Sequence, residues 1–272
     1  IGLFALLVLS LPGCGGFRDT KPQLPGNLDT LCMPDYASGF EMYRYDSSTL
    51  LRIVNPWQGA DSVSQWVFLS RDDEKPPKGF AGETIDVPVR RIVCMSSSYV
   101  AFLEALGADS TICAISGTGY IWSDKVRNRI AGGEIAEAGF DNSLNFEKLV
   151  ALKPDVVFLY GLTGKNAVTD KLHELGLKTV YIGDYVENNP LGRAEWITVF
   201  GEFIGRRELA RTLFDSISNE YNRAKALVSG VEKRPEVMLN APWQDSWFVP
   251  GDRSYMVRLL EDAGGNYSCR GV

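Results

Sequence analysis

The sequence has one histidine, His173, in 272 residues, and none of its five cysteines forms a C-x-x-C pair. A zinc site is therefore not expected, and a single imidazole cannot form the histidine cluster that transition metals favour. No run of Lys and Arg exceeds two residues, and the net charge is −6. This charge gives nucleic acid no basic surface to bind. Nothing in the composition predicts a cofactor.

Templates for common enzymes are absent or incomplete. Residues 161–166 (GLTGKN) have the Gly-Lys of a phosphate-binding loop, but Asn166 replaces the required Ser or Thr, and Leu159 stands where the first glycine belongs. The serines at 96–98 would need His173 as a general base. His173 lies in KLHELG, where we expect a half-exposed residue at a helix end. We therefore expect no enzyme.

The N-terminus carries the longest apolar stretch, IGLFALLVLSLPGC over residues 1–14. It is shorter than the ~18 apolar residues of a membrane span, and it is typical of a signal peptide whose charged start is missing. Leu11-Pro12-Gly13-Cys14 resembles a lipobox, which predicts lipidation of Cys14 and a membrane anchor in the periplasm or cell envelope. A plain secretory signal with an incidental cysteine is the alternative.

Composition then divides the rest of the chain. Residues 15–40 are rich in Gly, Pro, Asp and Ser, which predicts a flexible tether. Residues 41–70 contain three segments of alternating apolar and polar residues, EMYRYD, LLRIVNPW and SQWVFLS, which predict a small antiparallel β meander. We assign residues 41–190 to an N-terminal lobe that includes this meander.

From residue 87, apolar runs alternate with helical patterns. VRRIVCM, STICAIS, PDVVFLY and LKTVYIG predict four strands, with helices over 99–106, 123–130, 146–152 and 167–175. Such alternation indicates an α/β fold with a parallel sheet covered on both faces. Cys94 and Cys113 lie in two of these strands and are expected in the core, while a disulfide between them is left open.

Residues 191–229 predict connecting helices. Gly201 and Gly205 are expected to interrupt or end a first helix. A second helix of about 22 residues, or roughly 33 Å, is predicted from Glu208. Residues 230–272 then predict one strand, an aromatic loop and one helix, which would begin a second α/β lobe. Because this lobe has so few elements, we expect the full protein to be longer and the final SCRGV to be a truncation or frame artefact.

The order of these elements resembles a known family. RRIVCMSSSYVAFLEALGADSTICAISGTGY, LNFEKLVALKPDVVFLYG and PGDRSYMVRLLEDAGGNY are similar to segments of the periplasmic binding proteins for ferric siderophores, haem and cobalamin. The resemblance covers about residues 87–267. It implies two Rossmann-like lobes joined by a long rigid helix, the second lobe being truncated here. The meander, and Ala101 where many members carry Glu, depart from the family pattern.

The resemblance also implies a function. Such a protein is the substrate-binding lipoprotein of an ABC importer, a monomer that captures an iron chelate, haem or cobalamin and delivers it to a permease dimer with its ATPase subunits. Glu147 matches the position at which the family docks its N-terminal lobe on an Arg pocket of the permease. The alternative role of Glu147 is to stabilise a helix N-terminus. Which chelate binds is left open.

Ligands of open α/β sheets bind at the carboxyl ends of the strands. This rule predicts a binding site from the residues that follow the four strands, together with the aromatic loop of the second lobe. Any single member is as well explained as a core or surface residue. The predicted ligand-binding residues are Ser97, Ser98, Tyr99, Tyr120, Trp122, Phe140, Tyr160, Trp243, Trp247 and Arg253.

Two other functional classes fit parts of the sequence. An exported α/β hydrolase-like enzyme would explain the fold but not the missing catalytic relay. A surface scaffold lipoprotein would explain Cys14 and the meander, but not the aromatic residues at the strand ends.

Overall fold

The computed structural model describes residues 29–140, 143–161 and 167–271. The predicted signal peptide, Cys14 and most of the GLTGKN loop lie outside these residues. The described part confirms the predicted α/β class, with a parallel sheet, covering helices and an N-terminal meander. None of its helices combines the length and hydropathy needed to cross a bilayer.

The N-terminal sheet has five strands. They are β1 (Asp29–Cys32), β2 (Phe40–Tyr45), β3 (Ser48–Val54), β4 (Ser64–Ser70) and β5 (Glu83–Asp86), in that spatial order. All neighbours are antiparallel except β4 and β5, which are parallel. The three predicted meander strands are therefore present, and β1 and β5 widen the sheet on either side.

The prediction of a flexible tether is wrong for residues 29–40. Residues 29–32 form β1, and Ala37 and Phe40 are buried in the main core. The polar composition of this segment suggested a solvated, flexible chain. Its backbone N–H groups instead donate hydrogen bonds to buried carboxylates.

Three buried glutamates attach the N-terminal sheet to the rest of the lobe. Glu195 accepts hydrogen bonds from the backbone N–H groups of Asp35, Tyr36 and Ala37 at 2.8–2.9 Å. Glu187 likewise accepts from the backbone N–H groups of Ser38 and Gly39, whereas Glu202 accepts from the Thr49 hydroxyl and the Arg71 guanidinium. All three carboxylates lie on the segment that follows the parallel sheet. The meander is thus built into the lobe and is not an appendage.

The parallel sheet has the order β10-β9-β6-β7-β8. Its strands are β6 (Ile92–Cys94), β7 (Ile112–Ile115), β8 (Ala136–Glu137), β9 (Val156–Leu159) and β10 (Thr179–Tyr181). Four match the predicted strands, and β8 was not predicted because two residues carry no periodicity. Cys94 and Cys113 are buried in the sheet as free thiols. Helices α1 (Ser97–Ala105), α2 (Asp124–Ala131), α3 (Phe146–Leu152) and α4 (Ala167–Glu174) match the predicted helices.

Three helices follow the parallel sheet, namely α5 (Pro190–Glu195), α6 (Ile197–Phe203) and α7 (Arg207–Leu227). The predicted long helix is α7, with 21 residues. Gly201 does not end a helix as expected, but lies inside α6. A Cβ at Gly201 would come within 2.4 Å of the Ala210 Cβ, so glycine lets α6 and α7 pack closely.

Residues of both large sheets share one apolar core, which includes Phe40, Leu51 and Ile53 of the N-terminal sheet and Ile92 and Phe158 of the parallel sheet. After α7 the chain forms a two-stranded parallel pair, β11 (Glu236–Val237) and β12 (Asn266–Tyr267), and helix α8 (Tyr255–Asp262). The one strand that was predicted at the start of residues 230–272 is therefore only two residues long, as β11.

Candidate ligand-binding site

A cavity of about 360 Å³ lies at the carboxyl ends of the parallel strands. Each strand from β6 to β10 contributes the residues that follow it, as the strand-end rule predicts. Its walls combine hydroxyl groups, aromatic rings and one carboxylate. The lining residues are Met95, Ser96, Ser97, Tyr99, Ser116, Tyr120, Phe140, Tyr160, Asp184 and Tyr185.

Four predicted ligand residues, Ser97, Tyr120, Phe140 and Tyr160, line this cavity together. Tyr99 also borders it but is fully buried, and its hydroxyl lies 3.2 Å from the carbonyl oxygens of Leu159 and Ile182. Tyr99 is therefore a core residue whose ring borders the base of the cavity.

The serines after β6 have separate tasks. Ser96 caps α1, since its Oγ accepts a hydrogen bond from the Ser98 N–H. Ser98 does not line the cavity, and its hydroxyl lies 3.0 Å from that of Ser96. Ser97 is exposed at the cavity and begins α1. Of the two predicted serines, only Ser97 is thus placed to meet a ligand.

Tyr120 and Phe140 form an exposed aromatic rim, with 68% and 51% of their surfaces accessible. Gly117 lies between them with φ of +75°, and a Cβ there would be 2.9 Å from Tyr120 and 3.3 Å from Phe140. Only glycine lets both rings approach here. Trp122 is 91% exposed and does not line the cavity.

Glu137 fixes the two loops that carry this rim. Its carboxylate accepts hydrogen bonds from Gly117 N, Thr118 N, Thr118 Oγ1 and Gly139 N at 2.7–2.9 Å. Burial acts to raise the pKa of Glu137, but these hydrogen bonds outweigh it and hold the pKa below its ordinary value. The sequence analysis missed Glu137, because β8 was not recognised.

Asp184 is a second residue that the sequence analysis missed, although it follows β10 directly. It is 1% exposed, and its Oδ2 has no hydrogen-bond partner among the described residues. Burial raises the pKa of Asp184, while the Ser98 hydroxyl and the charge of Arg193 act in the opposite direction. The Arg193 Nε lies 3.7 Å from this unpaired oxygen.

Tyr185 separates this cavity from a second one and lines both. Its hydroxyl donates to the Gly161 carbonyl at the end of β9 and accepts from the Gln58 N–H at 3.2 Å. Trp57 pairs with Gly161 in a parallel bridge. The loop between β3 and β4 therefore lies against the carboxyl edge of the parallel sheet.

The second cavity has a volume of about 620 Å³. Its walls come from the β3–β4 loop (Asn55, Trp57, Gln58), from the segment after β10 (Tyr185, Glu187, Asn188, Arg193) and from the start of α8 (Ser254, Tyr255, Met256). The Arg193 guanidinium carbon lies 5.0 Å from the centroid of the Tyr255 ring, which makes a cation–π contact. Both cavities fall within the ~300–1,000 Å³ typical of small-molecule sites.

The three predicted residues of the second lobe line neither cavity. Trp243 is 72% exposed and turns back to pair with Ser246. Arg253 is exposed, and Trp247 is half-buried. The structure therefore does not bring these three residues to the other predicted residues.

Glu147 is exposed in the first turn of α3. The side chain of Asn145 caps this helix by accepting from the Lys148 N–H. Since the cap already satisfies a backbone donor, the Glu147 carboxylate is left at the surface, where a protein partner can reach it.

His173 is not part of a catalytic relay with the cavity serines. Its Nε2 lies 2.7 Å from Thr179 Oγ1 and 3.3 Å from Glu83 Oε1, between α4, β10 and β5. Within the described residues, no three His, Cys, Asp or Glu side chains come together as a metal-binding group.

The sequence model of a periplasmic binding protein family matches residues 92–267, more than half of the chain. Two curated relatives are uncharacterised lipoproteins of Methanocaldococcus jannaschii. One is 28% identical over 255 residues, covering 85% of this chain and 60% of the relative. The other is 27% identical over 259 residues, covering 91% and 63%. The chain thus spans about three fifths of the length of these relatives.

Solved structures show the same fold. A protein described as a possible iron-binding (periplasmic solute-binding) protein from Staphylococcus epidermidis aligns with a TM-score of 0.54 at 21% identity, over 66% of this chain and 67% of that one. The periplasmic haem-binding protein HutB of Vibrio cholerae aligns with a TM-score of 0.54 at 19% identity, over 66% of each chain. At these identities the likeness establishes the fold alone.

Proposed function

This chain belongs to the periplasmic binding protein family, and on that premise we propose that it captures a metal chelate outside the cytoplasmic membrane for an ABC importer. Members of the family are substrate-binding proteins that work with ABC permeases, not enzymes. We propose further that the cargo is a ferric siderophore, haem or cobalamin, and that a lipid on Cys14 holds the protein at the membrane.

The observation that carries this proposal is the cavity at the carboxyl ends of the parallel strands. Its exposed rings, Tyr120 and Phe140, offer flat apolar surface to a large ligand, and its hydroxyl groups offer hydrogen bonds. The structure of HutB is that of a haem-binding protein of the same fold, which supports a chelate as the cargo.

Binding is tested by titrating the full protein with a ferric siderophore, haem and cobalamin, using tryptophan fluorescence and calorimetry. We expect saturable binding of one of them. We also expect Tyr120→Ala and Phe140→Ala each to weaken binding about tenfold or more, since burying an aromatic side chain contributes about 1.5–3 kcal/mol.

Trp122→Ala is the matched control, because Trp122 is a neighbouring exposed aromatic residue outside the cavity. It should bind as the unchanged protein does. Equal losses for Trp122→Ala and Tyr120→Ala would contradict the proposed site, and no binding of any of the three ligands would contradict the proposed function.

We propose that Glu147 docks this lobe on the permease. Carboxylate-to-Arg contacts fix orientation as well as affinity, and Glu147 is exposed for such a contact. Glu147→Arg should abolish uptake of the ligand by cells while leaving binding in solution unchanged. Glu208→Arg, on the exposed first turn of α7, is the control. Normal uptake with Glu147→Arg would refute the docking role.

A further inference from the structure

The charges around the two cavities limit what they can hold. Among the described lining residues, Arg193 is the one cation, while Asp184 and Glu187 are carboxylates. The guanidinium of Arg193 is already held 3.7 Å from Asp184 and over the ring of Tyr255. Arg253, which was predicted to bind the ligand, lies outside both cavities. The described walls therefore carry two carboxylates and one guanidinium, and that guanidinium already lies beside one of the carboxylates.

Both oxygens of Glu187 are hydrogen-bonded inside the protein. They accept from Ser38 N, Ser38 Oγ, Gly39 N and Trp196 Nε1 at 2.9–3.1 Å. Asp184 is less well satisfied, since its Oδ2 lacks a hydrogen bond. A ligand carboxylate or phosphate beside these groups would be repelled in a poorly screened interior.

The walls are instead rich in neutral hydrogen-bonding groups. The second cavity has the side-chain amides of Asn55, Gln58 and Asn188, and the first has the hydroxyls of Ser97 and Ser116. Gln58 and Asn188 are exposed. Their side-chain amide groups make no hydrogen bond to the described residues. An amide both donates and accepts, which suits a carboxamide or hydroxyl on a ligand.

We propose that the bound chelate is uncharged where it meets these two cavities and bonds there through carboxamide or hydroxyl groups, with the β3–β4 loop as part of its site. The protein therefore selects a neutral chelate over an anionic one. This inference rests on the proposed function, since it describes the cargo of the same cleft. It also gives the N-terminal sheet a role, because Gln58 and Asn55 belong to that sheet's loop.

Matched probe pairs test the inference at about 0.15 M salt, where exposed charges more than about 8 Å apart are largely screened. One pair is cyanocobalamin and its e-monocarboxylic acid, in which one carboxamide becomes a carboxylate. The other is haem dimethyl ester and haem. We expect the neutral member of the pair that binds to have an affinity at least tenfold higher. Equal or tighter binding of the anionic member overturns the inference.

Gln58→Lys places a cation on the wall of the second cavity and should reduce the preference for the neutral member at least threefold. Asn219→Lys makes the same change on the exposed face of α7 and should leave the preference unchanged. An equal effect of both variants, or none from Gln58→Lys, overturns the inference while the proposed function stands. Failure of every probe to bind overturns the inference, and the proposed function falls with it only if the ferric siderophore also fails to bind.

Discussion

The N-terminal sheet and the parallel sheet lie against the same apolar core, but different contacts hold them in place. Strands β6, β7, β9 and β10 are buried along their whole length, and apolar contacts and the parallel ladder hold them. The N-terminal sheet adds three buried glutamates that bond to its strands and to the segment before β2.

A fourth polar contact joins the two sheets directly. Gln65 on β4 donates to the Thr179 carbonyl at 2.9 Å and accepts from the Tyr181 N–H at 2.9 Å. Its side-chain amide thus pairs with β10, the edge strand of the parallel sheet, as another strand would. The difference between the sheets shows that an element which departs from the family pattern can still be fixed rigidly, through a few fully satisfied buried polar groups.

The strongest test of this difference is Glu195→Ala. The change removes the acceptor of the buried Ala37 N–H and of the partly buried Asp35 and Tyr36 N–H groups. We expect a loss of about 3 kcal/mol or more in the free energy of unfolding, because each buried unsatisfied donor costs about 1–3 kcal/mol. Urea unfolding followed by tryptophan fluorescence measures it.

Glu208→Ala is the control for this measurement, since Glu208 is an exposed acid in the first turn of α7. It should cost less than about 1 kcal/mol. If Glu195→Ala were no more costly than Glu208→Ala, the N-terminal sheet would be held by apolar contacts alone, like the parallel sheet.

A smaller effect is expected from Gln65→Ala, which frees one donor and one acceptor on β10. We expect a loss of about 2–3 kcal/mol. In Gln65→Glu, only the protonated carboxyl can still donate to the Thr179 carbonyl, so the stability of this variant should fall as the pH rises through the pKa of the buried acid. Unfolding curves at several pH values measure both changes.

Gln58→Ala serves as the comparison for Gln65→Ala, because Gln58 is an exposed glutamine in the next loop of the same sheet. A change of less than about 0.5 kcal/mol is expected there. A pH-independent stability for Gln65→Glu would show that Gln65 does not donate to β10.

The strands and helices of the parallel layer could be predicted closely, because each strand is a continuous apolar run and each helix has a periodic apolar face. Strands β1 and β8 could not, since a strand of two to four polar or mixed residues leaves no periodic signal. The backbone of the segment before β2 is held by hydrogen bonds to Glu187 and Glu195, which lie about 150 residues further along the chain.

The prediction of the candidate site succeeded for residues whose position follows directly from the end of a strand. Ser97, Tyr120, Phe140 and Tyr160 meet in one cavity for that reason. Asp184 and Tyr185 obey the same rule after β10 and could have been found with it. Ser98 does not line the cavity and Tyr99 is buried at its base, because α1 begins there and successive residues of a helix face different directions.

The sequence by itself determined the α/β class, the parallel layer with its helices and the strand ends where a ligand is expected, because all of these follow from local apolar periodicity. Only the tertiary structure decided that the N-terminal sheet belongs to the same core, that its β3–β4 loop forms a wall of the second cavity, and that two carboxylates and one cation lie among the described residues lining the two cavities together. These features depend on contacts between residues up to about 160 positions apart, such as Asp35 and Glu195. No local pattern records which of many polar side chains will be buried together.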